Sequence, residues 1–201
     1  MEVVAPTGSR VATRTGSADL TTAGLVGELH AKSGSGSVSA EEVAGVVTAD
    51  TGSGDVEIAT AGSHVRAKSG SGDIVLGTVG GTVALSTGSG DVQLQHVQES
   101  GVVKTGSGDV LVRQMTADLT VSTGSGDMVV EVMSGGGLQA KSASGDVVVG
   151  VSAGIPVWTD ISTISGSIRS DLAGAGEPSP GDPFLEIRAT TVSGDIDLKQ
   201  R

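Results

Sequence analysis

Thr51-Gly52-Ser53-Gly54-Asp55-Val56 returns almost unchanged as Ser69-Gly70-Ser71-Gly72-Asp73-Ile74, and again around Ser89, Ser107 and Ser125. The central serines Ser17, Ser35, Ser53, Ser71, Ser89, Ser107 and Ser125 stand 18 residues apart each time. Ser144, Ser165 and Ser193 continue the series at spacings of 19, 21 and 28, so the repeat loosens toward the C-terminus. Six equal spacings with the same flanking residues are an internal repeat, the first thing a sequence should be searched for.

Columns of the repeat tell which way side chains point. Three residues after the serine stand Leu20, Val38, Val56, Ile74, Val92, Val110, Met128, Val147, Ile168 and Ile196. Five after it come Ile58, Leu76, Leu94, Val112, Val130, Val149 and Leu198. Eight after it come Leu25, Val43, Ala61, Val79, Val97, Met115 and Met133; four before it, Ala31, Ala49, Ala67, Leu85, Val103, Val121 and Ala140. Polar residues such as Glu57, Gln93 and Gln95 lie between. Alternation over short runs predicts half-buried strands. One repeat cannot bury its own apolar face, but stacked coils can, each column forming a ladder.

The expected fold is therefore all-β: a single-stranded parallel β-solenoid of about ten 18-residue coils, right-handed, as one domain over residues 1–201. Residues 1–150 are the regular repeats, and 151–201 form irregular C-terminal coils and a cap. The columns fix neither the hand nor whether a coil has two faces or three. Asp171 to Pro183 reads as a loop between the last two coils, and Phe184–Arg188 as a strand. The end of a solenoid must be covered, and Trp158 and Phe184 are the candidates for that cap.

Composition narrows the function classes. The chain has 33 glycines, one Trp, one Phe and no Tyr, so its core must be built from small aliphatics. A formal net charge of −11 repels a phosphate backbone and argues against nucleic acid. Without cysteine, disulfides and thiolate metal sites are excluded. No apolar run reaches the roughly 20 residues of a membrane-spanning helix. Met1-Glu2-Val3-Val4 lacks the basic and apolar regions of a secretory leader, so the expected compartment is the cytoplasm, or the cell surface if the chain is trimmed.

The Gly-Ser-Gly-Asp corner is read first as turn chemistry. Gly52, Gly54, Gly70, Gly72, Gly88, Gly90, Gly106, Gly108, Gly124 and Gly126 would permit positive φ. Ser and Asp would satisfy free backbone N–H groups. Asp55, Asp73, Asp91, Asp109 and Asp127 occupy one column with Asp19, Asp146 and Asp195. Stacked carboxylates repel, and backbone N–H groups, water or a cation must offset that. Calcium, which takes oxygen ligands, makes these five aspartates the metal candidates, although the nonapeptide of calcium-binding β-rolls is missing. The Thr/Ser column (Ser33, Thr51, Ser69, Thr87, Thr105, Thr123, Ser142) suggests an ice-binding array if exposed, but its parity is that of the inward Ala/Val column. His30, His64 and His96 sit at unrelated places in the repeat and form no constellation with serine and carboxylate, so no catalytic residue or cofactor is assigned.

The recurrent Thr-Gly-Ser-Gly-Asp-Val with its Val/Leu columns resembles the bacterial β-strand-repeat family labelled an adhesin and classed as a domain of unknown function. The likeness runs from Pro6-Thr7-Gly8-Ser9-Arg10 to Ser193-Gly194-Asp195-Ile196-Asp197-Leu198, and the tail through Trp158 is similar to actinobacterial members. The resemblance implies a repeat fold, carries no catalytic residues, and implies adhesion only through its label. The functional expectation is a non-catalytic scaffold that binds protein or itself. A cation-stiffened surface adhesin is the alternative, and a saccharide-active β-helix enzyme the remaining one.

Overall fold

The computed structural model describes residues 3–172 and 184–201. Its described residues form twenty strands: β1 (Arg10–Thr15), β2 (Leu20–Val26), β3 (Glu28–Ser33), β4 (Val38–Val43), β5 (Val47–Thr51), β6 (Val56–Ala61), β7 (Val65–Ser69), β8 (Ile74–Val79), β9 (Val83–Thr87), β10 (Val92–Val97), β11 (Gly101–Thr105), β12 (Val110–Met115), β13 (Leu119–Thr123), β14 (Met128–Met133), β15 (Gly137–Ser142), β16 (Val147–Val151), β17 (Val157–Ser165), β18 (Ile168–Ser170), β19 (Leu185–Ser193) and β20 (Ile196–Gln200). Odd-numbered strands make one ten-stranded parallel sheet and even-numbered strands the other. Each coil thus has two faces, and the core is the layer between the sheets. No helix among the described residues is long and apolar enough to cross a membrane.

The register is that of the repeat. Val92 lies between Ile74 and Val110, and Leu94 between Leu76 and Val112, all six at most 2% exposed. The sequence columns omitted one inward ladder. Six residues before the serine, Leu29, Val47, Val65, Val83, Leu119, Leu138 and Ile187 are all buried. Its signal was their spacing of two from the Ala/Val column. Gly101 interrupts this ladder. A Cβ there would come within 3.0 Å of side-chain carbons of both Val83 and Leu119, and within 3.6 Å of Met115 Cε, so larger neighbours already fill the space.

Two expectations need correction. Ten regular coils is too many: eight, β1 to β16, stack in chain order at a pitch of about 18 residues. The last two do not follow. β19 sits between β15 and β17, and β20 between β16 and β18, so the chain's final coil is inserted beneath the coil before it. The physical reason is polarity. Leu185, Ile187, Ala189, Ile196 and Leu198 are at most 1% exposed, suiting a coil covered on both sides. The coil of β17 and β18 offers Thr159 and Ser170 where the inserted coil has Ile187 and Leu198, and takes the end.

The cap also differs. Trp158 projects from the outer face of β17 at 48% exposure, with the Arg188 guanidinium 5.5 Å from its ring centre; Phe184 is 50% exposed. Val157 and Ile161, of opposite parity to Trp158, are the residues that pack on the core. Of the expected loop, only Asp171 and Leu172 fall within the described residues.

Candidate functional site

Every repeat turns from the first sheet to the second at a corner centred on the recurring serine, Gly-Ser-Gly in the second to seventh coils, and two polar ladders run along that edge. In the first, Thr51 Oγ1 accepts the Gly54 N–H at 2.9 Å and donates to the Gly36 carbonyl of the preceding coil at 3.2 Å. Ser69, Thr87 and Thr105 repeat both bonds. These hydroxyls are at most 8% exposed, so the column presents no ice-facing array. Thr123 and Ser142 are as buried, but their hydroxyl oxygens have no partner among the described residues. Thr87→Val is therefore expected to cost about 1–2 kcal/mol by orphaning the Gly90 N–H. Thr123→Val should leave stability unchanged or raise it. Urea denaturation of the two variants checks the contrast.

In the second ladder each aspartate serves the next coil. Asp73 N–H donates to Asp55 Oδ1 at 2.9 Å, and Asp91, Asp109, Asp127 and Asp146 N–H each donate to the preceding aspartate at 2.8 Å. The chain-order break does not interrupt it: Asp195 N–H reaches Asp146 Oδ1 at 2.7 Å, and Ser167 N–H reaches Asp195 Oδ1 at 2.8 Å. Ser37 takes the aspartate's place in the second coil and accepts the Asp55 N–H at 3.1 Å. Backbone N–H groups thus engage one oxygen of each candidate metal ligand, Asp55, Asp73, Asp91, Asp109 and Asp127. No group of three or more His, Asp or Glu gathers at metal-binding distance among the described residues. Asp91→Asn keeps an acceptor for the Asp109 N–H and removes one charge from a row spaced about 4.8 Å apart. Its melting temperature should match or exceed that of the wild type, whereas Asp91→Ala should melt lower.

The corner glycines have a different role from the one expected. Positive φ among the described residues occurs at Gly8, Gly24, Gly136, Gly145 and Gly154, and at none of the ten corner glycines from Gly52 to Gly126. What they supply is space. A Cβ on Gly54, Gly72, Gly90, Gly108 or Gly126 would lie 1.8 to 2.2 Å from the preceding coil's glycine carbonyl oxygen. The residue after the central serine is glycine in every coil but the first, where it is Ala18.

Charge is segregated in a way composition does not reveal. Arg10, Arg14, Lys32, Arg66, Lys68, Lys104, Lys141 and Arg188, eight of the twelve Lys and Arg residues, are exposed on the first sheet's outer face. The aspartate column lines the adjoining corner. The histidines stay apart: His64 Nδ1 lies 3.0 Å from Thr82 Oγ1, and His30 Nε2 lies 3.7 Å from Glu28 Oε2. One open hollow is lined by Asp118, Glu186 and Arg188 among others. There Asp118 accepts the Gly137 N–H at 2.8 Å and Glu186 pairs with Arg188.

A family model described as Toastrack DUF4097 matches residues 63–200. No curated protein and no solved structure matches the chain.

Proposed function

Since the chain belongs to the Toastrack DUF4097 family, a family of domains of unknown function, we propose that it is a rigid, non-catalytic scaffold that binds protein, a second copy included, through its strand-lined ends. The observation that supports this is the pair of sheet edges at each end. β1 and β2 at one end, and β17 and β18 at the other, have a strand neighbour on one side only among the described residues. Such edges invite pairing with another chain. Sedimentation over a wide concentration range tests the self-binding half: mass should rise with concentration, and a strict monomer throughout would count against it.

The scaffold reading places the protein in the cytoplasm. Protease added to intact native cells should leave it whole until lysis. Digestion without lysis would favour the second reading, a surface adhesin stiffened by cations along the aspartate column, whose support is the row of like charges at the corner. That reading predicts a melting temperature raised by calcium and restored by chelator; no shift would remove the cation from it.

A further inference from the structure

We infer that two copies of this chain join symmetrically through β17, the strands antiparallel about a two-fold axis at Ile161. This rests on the self-binding half of the scaffold reading and gives it a register. Among the described residues β17 pairs on one side only, with β19. The Leu185 N–H donates to the Pro156 carbonyl at 2.9 Å, so backbone groups of that parity face β19. By alternation along a strand, those of Thr159, Ile161 and Thr163 face the open side.

The outer face of β17 reads Trp158, Asp160, Ser162, Ile164: apolar, polar, polar, apolar. Reversed against itself about Ile161, each Trp158 meets the second copy's Ile164, and each Asp160 meets the second copy's Ser162. Aromatic–aliphatic cross-strand pairs stabilise sheets, and no like charges are opposed. On the edge-facing parity, Ile161 lies opposite Ile161 and Thr159 opposite Thr163, the hydrogen-bonded pairing that antiparallel strands require. Ile164, near the end of β17, is 82% exposed, the highest value among the large apolar residues described after Val4, which precedes the first strand. The symmetric pairing accounts for that exposure.

The head-to-tail alternative meets an obstruction. A coil stacked in register before β1 and β2 would set its corner carbonyl against the Ala18 methyl, at the position where later coils need glycine. A contact that repeated head to tail would grow into a filament, whereas an isologous one closes at two copies.

The test uses the full chain. Wild-type protein should approach a dimer, with no larger species, in sedimentation velocity. Ile164→Lys, at a position too exposed to disturb the fold, should weaken association at least about tenfold with an unchanged melting temperature. The chain has no cysteine, so single cysteines report register directly. Asp160→Cys mixed with Ser162→Cys should form disulfide dimers, because facing non-hydrogen-bonded residues lie about 4.5 Å apart at Cα; neither variant alone should. Association that survives Ile164→Lys, or that gives no mixed disulfide, overturns the β17 dimer and leaves self-binding standing by another surface. A wild-type monomer at every concentration overturns both.

Discussion

Gly108→Ala is expected to destabilise the protein by about 3 kcal/mol or more, a large loss for adding one methyl group. The added Cβ would lie 1.8 Å from the Gly90 carbonyl oxygen, inside any allowed contact. That carbonyl belongs to the backbone of the neighbouring coil, so no side chain can rotate away. Relief requires the coils to separate at the corner. That would stretch the Thr105 hydroxyl bond to the Gly90 carbonyl and the Asp109 N–H bond to Asp91 Oδ1. Gly124→Ala, two residues earlier in its own repeat, is the internal control. Its Cβ would sit 2.6 Å from the Gly106 oxygen, and the same column holds Ala143, Val192 and Ile164 in later coils. Its loss should be clearly smaller. Equal denaturation midpoints for Gly108→Ala and wild type would show that the coils are not held at this spacing.

Val92→Asp should cost at least about 4 kcal/mol, because it places a carboxylate without a partner in an apolar layer. Val92 is 0% exposed and stacked between Ile74 and Val110. Rods of this kind fold through nearest-neighbour coil interfaces, so a defect in the middle weakens contacts on both sides. The expected result is a steep fall in thermal midpoint, or a chain that does not fold. Gln93→Lys, at the adjacent exposed position, should be nearly neutral. A Val92→Asp variant that melts like wild type would mean that the column faces solvent.

Toward the C-terminus, repeat spacing stops predicting neighbours. Ser144, Ser165 and Ser193 would be read as three coils in order, yet the coil of Ser193 lies against that of Ser144. Parallel stacking is indifferent to chain order, because any coil with the right columns fits any slot. What chooses is burial: Ile187 and Leu198 suit an inner slot, Thr159 and Ser170 an outer one. Trp158 is a cap candidate by sequence because it lies in the irregular C-terminal part, where an open end must be covered. Its parity was readable from Val157 and Ile161, but only the end position of β17 shows which residues meet the core.

The sequence by itself determined the coil. Identical residues 18 apart can bury their apolar columns only by stacking in register, so parallel strands, small-residue ladders and a polar corner followed from the spacing alone. The tertiary structure decided what lies between coils. That includes the hydroxyl ladder, the carboxylate-to-N–H ladder, the closeness that requires glycine and the gathering of cations on one face. It also set the insertion of the last coil beneath the one before it. The reason is physical. A repeat specifies which residues recur at the same place in each coil. The distance from one coil's Cα to the next coil's carbonyl, and the slot a coil occupies, exist only once the stack has formed.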